Sequence, residues 1–465
     1  MSNHRPSKEI ARPQAAKNRR GLSSARLWVF IGLGFGAFIF AAAVFILLFG
    51  GAILNGYGKK RMERAVAEAL PGCALRIGKL DYAFGPNRLT ARSVALSAEN
   101  STIKVGRISL TGVRWARLLW GTASWADVLA KAALDATTID VEFPRSHYGI
   151  RCAHLRASVP ASELVAEAAE LGPLIGDDEL FAADAFRTTR FRALVPECRV
   201  SGLAYGDLIR GMSYRARSVY VSRPSFDALV DRNKPVKPFM KSPLMVNEAL
   251  AAIRQPLRID GLTITDGSLR YAERMTAGTG PGVLSFTAVK VSAEGIANRG
   301  GASAVILIRA QGRFMDAGLL KVLMTMPVAS PDLSLHYSGS LGAMDLTRLD
   351  AFLDISEHTR IKSGSAKAAA FDITVTGGRA RGHVRATYKG LKIAFLNRQT
   401  GSEKGWGNRI ASFVANVFKI RHSNAPDASG PMKEGKVGYM RKPDDTFLQF
   451  VWFSLRSGVL DVVAR

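Results

Sequence analysis

The side chains of this 465-residue chain that chemistry could recruit are seven histidines, three cysteines and two carboxylate pairs. No two of His4, His147, His154, His336, His358, His383 and His422 stand at the His-x-x-x-His spacing by which one helix face grips zinc. His147, Cys152 and His154 come close together, but no acidic or fourth ligand accompanies them, so they read as strand-surface residues. No Gly-x-Ser-x-Gly turn presents a nucleophile. The run at 278–282, GTGPG, lacks the Lys and Ser/Thr that hold phosphate and magnesium, and reads as a hairpin loop. Asp177-Asp178 and Asp444-Asp445 are chain neighbours rather than partners across a cleft, so they supply no acid–base pair. The expectation is a protein that is not an enzyme and carries no metal or cofactor. Among Cys73, Cys152 and Cys198, the last two lie in alternating segments on either side of one expected helix. Two readings follow: a Cys152–Cys198 disulfide in an oxidising compartment, or three free thiols.

With chemistry in the side chains absent, the elements themselves carry the information. Hydrophobic residues make up 47% of the chain and charged residues 22%, which excludes global disorder; the small number of cysteines excludes a disulfide-stapled scaffold. Residues 27–54 contain no charge, and this run of 28 exceeds the roughly 20 that a bilayer needs. It is too long for the apolar part of a cleaved signal peptide, so a transmembrane signal-anchor is expected. Seven bases lie in the tail at 1–26, and four follow the span at Lys59, Lys60, Arg61 and Arg64. The larger excess places the N-terminus in the cytoplasm, as a single-pass protein of a bacterial inner membrane with the bulk of its chain periplasmic. Gly32 and Gly36 in the span fit a helix-pairing motif, though small residues are common in spans.

Residues 59–70 read as a short helix ended by Pro71-Gly72. Alternating segments follow at 75–84, 87–98, 101–113, 258–273, 282–296, 302–314, 332–341, 370–378, 382–396 and 436–455. Their period of two and their Gly, Pro, Asn and Asp punctuation predict strands, and their short connections predict a mostly antiparallel sheet. Helices are expected at 116–134, 162–176, 245–253 and 406–420. A proline-rich linker and short helix at 233–257 divides an N-terminal β-part at 59–232 from a C-terminal β-part at 258–465. About 20 strands at about 4.8 Å would stack to roughly 95 Å.

One set of alternate positions is apolar: Leu262 and Ile264, Leu269 and Tyr271, Leu284 and Phe286, then Val289 and Val291 after a switch of face. Leu333, Leu335 and Tyr337, then Phe371, Ile373 and Val375, repeat it. Opposite them stand residues such as Thr263, Arg270, His336 and Asp372, which makes a one-sided sheet. The same alternation fits an open apolar groove or a closed sandwich core. In the segment 406–420, Trp406, Ile410, Phe413, Val414, Val417 and Phe418 share one helical face. That stripe suits a plug over a sheet edge, the preferred reading, or a helix docked on a membrane or partner.

The runs at 216–232 and 259–300, with YKGLKIAFL at 388–396 and the segments at 408–420 and 436–460, resemble the AsmA-like envelope proteins. These are related to TamB and to the bridge-like lipid transfer proteins. The resemblance covers about half the chain, and 116–200 do not align with it. It implies a mainly β fold: a transmembrane helix, then an elongated, curled antiparallel sheet forming an apolar groove, with a few interrupting helices and a C-terminal amphipathic helix. It also implies phospholipid movement between envelope membranes in support of outer-membrane integrity, without catalytic residues. A non-transporting envelope scaffold or outer-membrane assembly factor, held to protein partners, is the second reading. Beyond residue 58 the chain holds 57 basic and 37 acidic residues, and this net charge of +20 fits anionic lipid or glycolipid head groups, or simply solvated strand edges. No basic stripe with interleaved aromatics follows the span, so nucleic acid is not expected. A reporter that works only when exported should be active when fused after residue 70; activity of a cytoplasmic reporter at that junction would refute the topology.

Overall fold

The computed structural model describes residues 59–464 apart from 70, 84, 115–124, 237–241, 276–279, 302, 329, 331, 397–419 and 427–430. The expected span at 27–54 and the stripe from Trp406 to Phe418 lie outside the described residues. The chain is mainly β, with 18 strands in one sheet. The first meander is β1 (Ala74–Ala83), β2 (Arg88–Ala98), β3 (Ser101–Thr111), β4 (Ala133–Phe143), β5 (Tyr148–Ser158), β6 (Glu163–Pro173), β7 (Thr189–Ser201), β8 (Tyr214–Ser222) and β9 (Ser225–Asp231). The second is β10 (Leu257–Arg274), β11 (Gly282–Ala297), β12 (Val305–Phe314), β13 (Gly318–Pro327), β14 (Leu335–Leu341), β15 (Met344–Asp345), β16 (Thr359–Thr376), β17 (Arg379–Phe395) and β18 (Glu434–Met440). Helices α1 (Lys59–Ala69), α2 (Trp125–Leu129), α3 (Asp177–Ala182), α4 (Tyr205–Ile209), α5 (Val246–Ala251), α6 (Asp350–Ser356) and α7 (Phe447–Val463) interrupt or flank them.

Strands neighbour one another in chain order. β8 and β9 lie end to end between β7 and β10, and β14 and β15 lie end to end along β16. The described strands therefore form sixteen rungs, which at about 4.8 Å per step reach roughly 70 Å, less than the length expected from sequence. The sheet is mixed rather than wholly antiparallel, because β10 runs parallel to β8 and β9. Leu257 lies opposite Tyr214 and Arg274 opposite Asp231, so the chain leaving β9 must return the full length of the 18-residue β10 before it can enter that strand. The linker expected at 233–257 is this crossover. Its helix α5 is held on the second meander, where Met245 is fully buried and Arg441 Nη1 donates to Glu248 Oε1 at 2.7 Å.

Three expected elements differ. Residues 162–176 form β6, not a helix. Their Ala and Glu content favours helix locally, but Glu163 and Glu167 pair with Arg199 and Arg156 on flanking strands, and Leu164 and Leu171 face apolar neighbours. Context of this kind overrides propensity. Of 116–134, the described helical part is Trp125–Leu129, and β4 begins at Ala133. The expected strand at 436–455 splits into β18 and α7. Thr446 Oγ1 accepts from Gln449 N and Gln449 Oε1 accepts from Thr446 N, so a capping box starts a helix after Pro443.

One row of residues crosses the first meander with its cross-strand pairs unmade: Gly78, Ser93, Gly106, Thr138, Ala153, Ala168, Pro196 and Arg223. In it Ser93, Thr138, Ala168 and Arg223 have φ of 52°, 56°, 48° and 47°. The row continues through Asp266 of β10 and Ala288 of β11, both also left-handed. Each strand loses one step of its alternation there, so apolar positions change parity yet stay on one face: Leu89 and Ala91 before Ser93, Val94 and Leu96 after it. The row is a crease along the sheet.

Helices close both edges. At β1, Glu63 Oε1 accepts from Ile77 N at 3.2 Å, and Lys59 Nζ donates to Gly78 O at 3.3 Å. At β18, Asp461 Oδ2 accepts from Lys436 N at 2.7 Å and Ser457 Oγ from Gly438 N at 3.2 Å. The backbones meet closely here: a Cβ on Gly435 would lie 2.0 Å from Gly458 O. Exposed strand edges pair with other chains unless covered.

A β-branched residue is poorly suited to the left-handed conformation of Thr138, whereas Asn tolerates it. Thr138→Asn should raise the unfolding free energy by about 0.5–1 kcal/mol in denaturant titration, and Thr138→Val should give no gain. A fall with Asn would contradict the crease.

Candidate functional site

Cross-strand partners share a face, so the ladders can be followed from edge to edge. One row runs Tyr82, Leu89, Leu110, Leu134, Ala157, Leu164, Val200, Val219, Leu262, Ala293, Ile308, Met324, Tyr337, Ile373, Gly382, Val437. The next, nearer the crease, runs Leu80, Ala91, Ile108, Ala136, Leu155, Ala166, Cys198, Val221, Ile264, Val291, Ala310, Val322, Gly339, Phe371, Val384, Gly435. Neither contains a charged side chain, and Tyr is the most polar residue in either. Beyond the crease a third row runs Leu75, Leu96, Ile103, Val141, Ile150, Leu171, Ala193, Phe226, Leu269, Phe286, Phe314. On the opposite face a comparable row reads Asp81, Thr90, Ser109, Asp135, Arg156, Val165, Arg199, Tyr220, Thr263, Ser292, Arg309, Leu323, Ser338, Asp372, His383, Lys436. One face is therefore continuously apolar across the whole sheet, and the other is polar.

Burial varies along the apolar face. Near β1–β5, Ile77, Leu80, Leu89, Val105 and Ile139 are buried with Val66 of α1 and Val128 of α2. Near β14–β18, Tyr337, Ile373, Val375, Val384 and Val437 are buried with Phe450 and Val462 of α7 and Met245 beside α5. Between these cores Leu164, Val200, Val219, Leu262, Ile264 and Val291 are half-buried, and Phe191, whose ring lies 5.9 Å from that of Phe226, is exposed. The residues expected to line a groove divide accordingly. Leu262, Ile264, Leu269, Tyr271, Phe286, Val289 and Val291 lie in the half-buried part; Leu284, Leu333, Leu335, Tyr337, Phe371, Ile373 and Val375 are buried in closed cores. The segment 59–232 is expected to form the N-terminal part of the groove with helical insertions, but its lining residues from Leu164 to Phe226 are not picked out in the sequence, because 162–176 reads as a helix. Their signal is the single-residue slip in apolar spacing, as in Leu75, Ile77, Leu80, Tyr82.

Of the two readings of the cysteines the free-thiol one holds: Cys152 and Cys198 are not paired, and all three cysteines are free. Cys152 lies opposite Ala169, and Cys198 opposite Ala166, so β6 runs between their strands. Two strand spacings are roughly 10 Å, beyond the roughly 7 Å that a disulfide allows between Cα atoms. The disulfide reading assumed a helix where β6 lies. Burial raises the pKa of both thiols, so each stays neutral at physiological pH.

The acidic residues serve structure. Asp177 holds Arg190 and Arg192, Asp178 holds Arg274, and Asp445 Oδ2 accepts from Tyr439 Oη at 2.9 Å. His154 Nε2 lies 2.9 Å from Asp135 Oδ2 on the polar face, whereas Cys152 belongs to the apolar one. Among the described residues no group of three His, Cys, Asp or Glu side chains could hold a metal, and no helix is long and apolar enough to cross a membrane. Clefts of about 620 Å³, beside Arg107, Asp135, Arg156 and Arg199, and about 610 Å³, beside Thr263, Ser292, Arg309 and Ser338, are walled by polar-face residues. No protein-family model and no curated protein matches the chain.

Protein isolated without reductant should yield three titratable thiols on denaturation and no mobility change on reduction. In the folded state, alkylation of Cys152 and Cys198 should keep accelerating above the pH at which a free thiol is fully ionised. A recovered Cys152–Cys198 peptide would contradict the position of β6.

Proposed function

We propose that this chain binds lipid acyl chains along the apolar face of its sheet, as an inner-membrane-anchored periplasmic protein that holds or moves phospholipids between envelope membranes. The observation that carries the reading is the continuity of the apolar rows from β1 to β18. A sheet that needed only a core could interrupt them with polar residues wherever strands reach water; these rows contain no charge at any rung. Contact with acyl chains requires no nucleophile, metal or nucleotide, only apolar surface shielded from water. The crease supports it too, since a sheet bent along its length can bring its two arms toward each other over that face. The anchor rests on the uncharged segment 27–54 and the seven bases before it. The AsmA-like resemblance of the sequence points to the same place and cargo.

The buried ends of the face favour retention over free passage in this conformation. They also favour a second reading, a non-transporting envelope scaffold or assembly factor whose apolar ends are ordinary cores.

The two parts of the face separate these readings. Val219→Ser and Leu262→Ser, in the half-buried part, should lower the phospholipid that copurifies, measured by mass spectrometry, with little change in thermal midpoint. Ile373→Ser, at a fully buried position, should cost about 3 kcal/mol of stability or more. A photoreactive residue at Phe286 should crosslink lipid in cells. Wild-type protein free of lipid, with Val219→Ser altering stability alone, would establish the scaffold.

A further inference from the structure

The polar face treats its cations differently at its two ends. On β3–β7 they are neutralised across strands: Lys104 with Glu142 at 2.8 Å, Arg107 with Asp135 at 3.4 Å, Arg151 with Asp140 at 3.6 Å and Arg199 with Glu163 at 2.8 Å. On β17 the same face presents Arg379, Arg381, Arg385, Lys389 and Lys392, all exposed, and Lys436 follows on β18. The neighbours opposite them on β16 are Thr376, Thr374, Ala370, Ser365 and Ser363. These are short and uncharged, so the basic side chains stand highest on this end of the sheet. Among the described residues three acids share the face: Glu434, 3.1 Å from Arg385, Asp372, 3.1 Å from His336, and Asp345, in the row of Ser365 and Lys389. Six bases against these three acids leave the described surface positive, and β17 carries the surplus from Arg379 to Lys392 over roughly 43 Å.

A second observation lies at the same end. Met440, opposite Arg379 and on the same face, is 47% exposed. A large apolar side chain left in water within a basic ladder suits a partner that is both anionic and apolar beneath its charge. A polynucleotide offers no apolar layer, and none of the exposed ladder residues is aromatic and able to stack on a base.

We propose that the polar face of β16–β18, Met440 included, is a docking surface for an anionic lipid bilayer. Lysines and arginines meet the head-group charge, and Met440 enters the interfacial layer. The surface extends the lipid-binding reading but needs no acyl chain on the apolar face.

The test uses the full chain reconstituted in phosphatidylcholine vesicles, so that the apolar N-terminal segment is already accommodated. Capture of a second, fluorescent population of vesicles is then measured by flotation. Vesicles with roughly a third phosphatidylglycerol should be captured at least about tenfold better than pure phosphatidylcholine, and the preference should fall with added salt. The triple variant R379Q/R381Q/K392Q should lose most of that capture. K104Q/R107Q/R151Q, which removes as many cations from the neutralised end, should keep it. Copurified lipid is measured on the same samples. Capture by protein that carries no lipid would sink the acyl-chain reading and leave the docking surface standing. Equal capture of both vesicle types, equal loss in both triple variants, or a preference for duplex DNA over anionic vesicles would overturn the proposal.

Discussion

A β-strand turns its side chains alternately to two faces, and any one-residue slip exchanges them. That constraint governs this molecule. Between β1 and β11 every strand takes such a slip, and all take it at the same level, from Gly78 through Thr138 and Arg223 to Ala288. Because neighbours slip together, partners remain opposite one another and the apolar side chains keep a common face on both sides of the crease. A slip in one strand alone would set its apolar residues among the salt bridges of the polar face. The crease is thus a collective property: the left-handed conformation of Thr138 is tolerated because Gly106 beside it has no Cβ to obstruct.

Much of this was legible, and the exceptions have physical causes. Strands at the two ends of the sheet alternate bulky apolar residues with Arg, Asp or Thr, as in Leu75 to Ile77 or Phe371 to Val375, and the period of two is plain. β6 hides it, since its apolar positions are filled largely by alanine and its polar ones by glutamate, a mixture that also suits a helix. The glutamates reveal their purpose only when Arg156 and Arg199 arrive from strands far apart in sequence. Misreading that segment also brought Cys152 and Cys198 together in expectation. The helix after Pro443 could have been seen in Thr446-x-x-Gln449, but Phe447 to Phe453 is so apolar that it reads equally as a buried strand. The parallel joint at β10 was marked by prolines and lysines without revealing that the chain must run the length of a strand to return.

The face that emerges is uniform in composition and uneven in access. Apolar residues recur at every rung, but helices α1, α2, α5 and α7 gather over the ends, leaving the middle least covered. Charge shows the complementary division, balanced across strands on the first meander and in surplus on β17. The two meanders meet through backbone bonds between β10 and the pair β8 and β9, so the apolar rows cross the joint although the chain does not.

The alternation of the crease also bears on how such a chain could grow. In the first meander the left-handed residues fall on every second strand, at Ser93, Thr138, Ala168 and Arg223, with Gly78, Gly106, Ala153 and Pro196 between. The natural unit of length is therefore a hairpin rather than a strand. Duplicating one such unit would add two rungs, about 10 Å, with the caps at β1 and β18 untouched. Duplicating one strand would reverse the chain's direction downstream and set a left-handed residue beside another. A lineage built on this plan would change length in even steps, its terminal helices inherited as fixed ends around a variable middle.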